Sequence, residues 1–212
     1  MCSSDLTALF AGLRREIDDA ECGLLARADM LAVAALREAE AGRAKDAGTL
    51  AGLIEKHARL GGAEETYIAV APDLARDTRL NRTSKPDPLA VRFAVRASVA
   101  YKGCWVRRIR TFAKDGAGAD AWFDGVVRTL QPGQPIGTQF SARLKELPGA
   151  TLKSWMAESC TGSYPLSVVA SSRAAGKDAP VNGQFLVLTV ELALDGAPWL
   201  GAAPLIVGKG NR

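Results

Sequence analysis

The order of textures along the chain is what most restricts its fold. From about Leu6 to Gly61 the sequence is rich in Ala, Leu and Glu, with apolar residues three and four apart, as in Leu24, Leu25, Met30, Leu31 and Ala34. Breaks near Gly42 and Gly61 predict two or three helices there. After Gly61-Gly62 the run Tyr67-Ile68-Ala69-Val70-Ala71 reads as a strand, and the polar stretch from Asn81 to Pro88 as a loop. Residues 91–100 and 104–112 then predict a β-hairpin, turning within Tyr101-Lys102-Gly103. Helical periodicity returns at about 118–130 and 137–147, punctuated by Pro132, Pro135 and Pro148, and strands are expected near 164–170, 184–194 and 204–207. Helices, strands, helices, strands predicts an α+β architecture of two similar halves, although no residue-level repeat accompanies it.

Composition narrows the function. Of 212 residues 48% are apolar, ample for a closed core. Basic and acidic residues, 27 against 23, are interleaved, and a net charge of +4 is no polyelectrolyte footprint, so no nucleic-acid partner is expected. No apolar run approaches the roughly 18 residues of a membrane span, so no membrane partner is expected either. The four cysteines (Cys2, Cys22, Cys104, Cys160) form no C-x-x-C pair, which argues against zinc and disulfides and for a reducing, cytoplasmic compartment. The single histidine, His57, lies in a helical pattern and reads as an exposed helix residue rather than a catalytic one.

Residues 1–6, Met1-Cys2-Ser3-Ser4-Asp5-Leu6, lack the tract of a signal peptide. The string Cys-Ser-Ser-Asp-Leu is also what the end of a common sequencing adapter encodes in one frame. The expectation is that these residues are an assembly artefact and that the natural protein continues upstream; the alternative is a helix lead-in capped by Ser4 or Asp5.

The hairpin segment Tyr101-Lys102-Gly103-Cys104-Trp105-Val106-Arg107-Arg108-Ile109-Arg110-Thr111-Phe112 resembles the signature hairpin of the aminopeptidase P, creatinase and methionine aminopeptidase family, retaining Tyr101, Gly103, Arg110, Thr111 and Phe112. Leu186-Val187-Leu188-Thr189-Val190-Glu191 is similar to the family strand that delivers a glutamate ligand. The resemblance implies a pita-bread fold over residues 7–212, with two αα-ββ halves around a curved antiparallel sheet, an upstream domain that is missing, and a homodimer as one available assembly. It also implies a two-metal peptidase centre held by two hairpin aspartates, one histidine and two glutamates, at which a bridging water becomes the nucleophile.

Matched residue by residue, however, the aspartate positions fall on Arg96 and Arg107, the histidine position on Ser163, and the last glutamate on Gly201 or Ala202; only Glu191 is retained. Guanidinium groups cannot be deprotonated in proteins, so two arginines bring positive charge where cations would sit. The expectation is a chain with no metal, no cofactor and no catalytic residues, acting as a peptide- or partner-binding module. The alternative is an active Xaa-Pro-type metallopeptidase whose ligands fall elsewhere, although Asp115, Asp120 and Asp124 lie too far past the hairpin to replace its aspartates.

If the hairpin is symmetric about Tyr101-Lys102, Arg96 faces Arg107, and an anion is needed between them. Glu191 is the favoured internal anion; a ligand carboxylate or phosphate is the external one. Strand alternation sends Arg108 and Arg110 to one face and Arg107 to the other, which splits the basic cluster around Trp105 and favours a solvated edge over a nucleic-acid patch.

Overall fold

The computed structural model describes residues 17–159, 167–173 and 179–208. Helix α1 (Asp19–Glu40) begins where the Asp18 carboxylate accepts from the Glu21 N–H, and it buries Leu25, Ala28, Leu31, Ala32, Ala35, Leu36 and Ala39 along one stripe. Helix α2 (Ala47–Leu60), capped by Asp46 on the Thr49 N–H, buries Leu50, Ile54 and Ala58 at four-residue spacing. The chain turns at Gly61-Gly62, the latter with φ of 106°, into β1 (Glu65–Ala71), followed by β2 (Phe93–Tyr101) and β3 (Cys104–Phe112). The second half repeats this plan with α3 (Ala117–Thr129), α4 (Ile136–Leu144), β4 (Ala150–Ser159), β5 (Ser167–Ser171), β6 (Phe185–Leu194) and β7 (Ala197–Ile206).

All strand pairs are antiparallel in one seven-stranded sheet of order β1-β2-β3-β7-β6-β4-β5. With β5 set aside, the order is symmetric about the β3–β7 seam, β1 answering β4, β2 answering β6 and β3 answering β7. Val95, Ala97, Val99 and Val106 pack with α1 and α2, while Leu186, Leu188, Val190, Trp199 and Leu205 pack with α3 and α4. The expected two-half α+β plan is therefore the observed one.

The seam itself is thin. Ile109↔Ala202 is the single registered pair between β3 and β7, and Pro204 further along β7 has no N–H to donate. Thr111 closes one end, its buried hydroxyl donating to the Leu200 carbonyl at 2.9 Å and accepting from the Leu200 N–H at 2.8 Å. On the helix side, Arg108 forks onto Asp29 of α1 at 2.5 and 2.8 Å, and Arg110 bonds Glu40 of α1 and approaches Asp120 of α3 at 3.7 Å. Arg108 and Arg110 do share a face, but they tie helices to the seam rather than forming the solvated edge expected from the sequence.

Two further expectations are corrected. The hairpin turns on Lys102-Gly103, both at positive φ (50° and 76°), the requirement of a two-residue type I′ turn. Cross-strand positions therefore sum two higher than a centre at Tyr101-Lys102 implies: Arg96 pairs with Ile109, and Arg107 pairs with Ser98. Strand β4 was not anticipated at all, because a bulge between Leu152 and Ser154 interrupts the alternation that marks a strand. It pairs with both β5 and β6.

Candidate functional site

Strand alternation places Arg96 and Ser98 of β2 and Arg107 of β3 on the hairpin face turned away from α1 and α2. In the second half, Val187, Thr189 and Glu191 of β6, with Ser154, Met156 and Glu158 opposite them on β4, turn away from α3 and α4. One bond joins the two faces. The Arg107 Nη1 donates to Glu158 Oε2 at 2.5 Å, spanning β7 and β6, where Glu158 pairs with Val187 and Val187 with Pro204.

Both partners are nearly sealed from solvent, Arg107 at 7% and Glu158 at 5% exposure. Burial pushes the Glu158 carboxyl above its ordinary range, and the positive charges of Arg107 and Arg96 pull against that rise. Arg96 and Arg107 are thus diagonal neighbours rather than a directly opposed pair, and it is Arg107 that bonds the carboxylate. The Ser98 side chain, fully buried beside Arg107, has an Oγ without a hydrogen-bond partner, as have Arg107 Nε and Thr189 Oγ1.

The anion that sequence reasoning chose is not the one that answers the arginines. Glu191 is half-buried and accepts from the Ser154 hydroxyl at 3.2 Å. Glu158 takes its place, and it was missed because the strand that carries it was missed. The usable signal was the alternation of Ser154, Met156 and Glu158 with the apolar Trp155 and Ala157. Ser163 lies outside the described residues. Of the two positions for the last glutamate, Ala202 shares the face of Thr189, whereas Gly201 turns toward the Trp199 ring, with which a Cβ there would clash.

The other residues weighed in the sequence lie elsewhere. His57 Nδ1 sits 3.2 Å from Glu38 on the helical side, half exposed. Asp115 pairs with Arg92, and Asp120 accepts from the Trp199 indole at 3.1 Å, its carboxyl pushed up by burial against that bond and the charge of Arg110. Trp105, two residues before Arg107 on the same strand, stacks on Tyr67 at 5.4 Å, and the Arg82 guanidinium lies over the Tyr67 ring at 5.1 Å. Cys22 is a free thiol.

This donor set does not fit a two-metal centre. Among the described residues no group of three or more His, Cys, Asp or Glu side chains converges, and the hairpin positions to which the resemblance assigns carboxylates, Arg96 and Arg107, carry guanidinium groups. Also among the described residues, no helix is long and apolar enough to cross a membrane.

No family model and no curated protein sequence matches the chain. Solved structures do. The methionine aminopeptidase of Thermotoga maritima superposes with a TM-score of 0.70 at 8% identity, covering 93% of this chain and 96% of that one. The prolidase of Pyrococcus furiosus gives 0.68 at 11% identity over 96% of this chain, and the X-Pro aminopeptidase of T. maritima gives 0.65 at 12% over 92%. The chain spans 66% of that prolidase and 60% of that X-Pro aminopeptidase. With two αα-ββ halves meeting at a thin central seam and this likeness over nearly its whole length, the chain has the pita-bread fold of the methionine aminopeptidase, prolidase and X-Pro aminopeptidase structures.

Proposed function

We propose that this chain is a pita-bread domain without hydrolytic chemistry, which binds a peptide or a protein partner on the sheet face that carries Arg96, Arg107 and Glu158. The observation that carries this reading is the buried Arg107–Glu158 ion pair. The resemblance assigns the Arg107 position to a metal-binding aspartate, and here it holds a permanent cation whose nearest anion is already engaged with it. A dinuclear centre would need that space and those carboxylates for itself. Its setting under this proposal is the reducing cytoplasm, with a homodimer as one available assembly.

The test is metal analysis after incubation with excess cobalt or manganese and desalting, together with cleavage assays on Xaa-Pro peptides. The expected result is sub-stoichiometric metal and no turnover. Stoichiometric metal lost in Glu191→Ala, accompanied by peptide cleavage, would overturn the reading and establish the alternative metallopeptidase.

A further inference from the structure

We propose that the cavity between α1 and α3, on the helix side of the seam, binds a small organic monocation: a protonated amine carried on an apolar body. The cavity lies on the opposite side of the sheet from Arg96, Arg107 and Glu158, and it does not depend on the function proposed for that face.

Shape and walls set the size and the apolar part of the ligand. The cavity has a volume of about 250 Å³, room for roughly eight water-sized groups. Val33 and Leu36 line it from α1, Phe123 from α3 and Trp199 from β7. The two rings meet edge to face, with centroids 5.7 Å apart and planes at 68°. Apolar and aromatic walls with a few charged groups among them are the ordinary makeup of a small-molecule site, and aromatic rings also favour a cation beside them.

Charge selects the polar part. Arg108 and Arg110 of β3 line the cavity, and each is already bonded to a carboxylate of α1, Arg108 through Nε and Nη2 to Asp29 and Arg110 through Nη1 to Glu40. Helix α3 then contributes two more carboxylates, Asp120 and Asp124, and no cation to the lining. Asp120 accepts from the Trp199 indole at 3.1 Å and stands 3.7 Å from Arg110 Nε, beyond hydrogen-bond reach. Burial pushes its carboxyl up, and the indole bond and the charge of Arg110 do not cancel that rise, to which Asp124 and Glu40 add. Asp124 makes no hydrogen bond or ion pair among the described residues, not even with Arg128 one turn further along α3, and acts on Arg108 and Asp120 through space. Two fixed positive charges therefore face four negative ones.

Asp120 and Asp124 are four residues apart, so both lie on one side of α3 within reach of a single ammonium and its three donors. A divalent metal is the poorer match, because among the described residues no three His, Cys, Asp or Glu side chains converge to hold one. A bound amine answers the carboxylates of α3 while its body rests against α1, so it joins the helical layers of the two halves across the thin seam.

The experiment is calorimetric titration of the purified full chain at pH 7 with 2-phenylethylamine, 2-phenylethanol and 3-phenylpropionate, which share a shape and differ in charge. The expected result is that the amine binds about tenfold or more tightly than the alcohol, and the carboxylate more weakly than either. Asp124→Asn, at an exposed position, should weaken the amine roughly three- to tenfold while leaving the alcohol and the unfolding temperature unchanged. Asp120→Asn keeps an acceptor for the Trp199 indole and removes the charge, so it should reduce the amine to the affinity of the alcohol. Val33→Phe, with its urea midpoint measured alongside to show that the fold is retained, should exclude all three probes.

Equal binding of amine and alcohol by the wild type overturns the assigned charge, and binding of none of the three overturns the site. Amine binding that survives both aspartate variants overturns its location. Competition of magnesium alone with the amine, lost in Asp124→Asn, overturns the organic class in favour of a metal.

Discussion

Replacing Arg107 by Met keeps much of the side-chain stem and removes the guanidinium, leaving Glu158 at 5% exposure with only Arg96 to answer its charge. Breaking a buried ion pair from one side costs about 3–5 kcal/mol, whereas an exposed pair is worth ~0–1 kcal/mol. At ~2–4 °C per kcal/mol for a chain of this size, the unfolding temperature should fall by roughly 6–20 °C. The pH dependence has a definite sign. Burial holds the folded pKa of Glu158 above its unfolded value, so the native state binds more protons between the two, and stability falls as pH rises through that interval. Above the folded value the loss is complete. Without Arg107 the folded value climbs further and the interval widens upward, so the penalty of Arg107→Met should be smaller at pH 5 than at pH 8. Urea unfolding followed by tryptophan fluorescence at both pH values measures this, with Glu158→Met and the double variant completing a cycle. The double variant should return close to wild-type stability, because apolar replacement of a buried pair is often neutral or better. A loss below about 1 kcal/mol at both pH values for Arg107→Met would refute the reasoning, since that is the cost of a solvated pair.

Two smaller perturbations address the seam and the packing. Thr111→Val keeps the shape of a side chain 2% exposed and deletes both bonds to Leu200, so it should cost about 1–3 kcal/mol in chemical denaturation and speed amide exchange of Leu200. Gly201→Ala drives a methyl into the buried Trp199 ring and should cost about 1–3 kcal/mol. By contrast Gly52→Ala, on an exposed face of α2 with nothing within 4 Å of the new methyl, should stabilise by roughly 0.5–1 kcal/mol in the same assay.

The helices were legible because each carries its own punctuation. Asp46 before α2 and Gly61-Gly62 after it, or the alternation of Val95, Ala97 and Val99, are local signals that depend on neighbours in the chain. The same holds for the hairpin, and through it for the positions of Arg96 and Arg107 on one face. The alternation of helical and strand blocks, β4 excepted, and the likeness of the hairpin to one family followed from these local features alone.

What the tertiary structure decided is which groups meet. A one-residue error in the turn, Tyr101-Lys102 against Lys102-Gly103, shifts the pairing by two and changes an opposed arginine pair into a diagonal one, because register depends on which residues tolerate positive φ. The choice between Glu191 and Glu158 as counter-charge lay further out of reach. Both are single acidic residues on strands of the second half, but Glu158 stands 51 residues beyond Arg107 on a strand disguised by a bulge, and it meets Arg107 only because β7 and β6 lie between them in the sheet. Sequence determines the local conformation and the kinds of charge a chain carries; the long-range pairing of strands, set by burial of both halves around a common seam, determines which charges face one another.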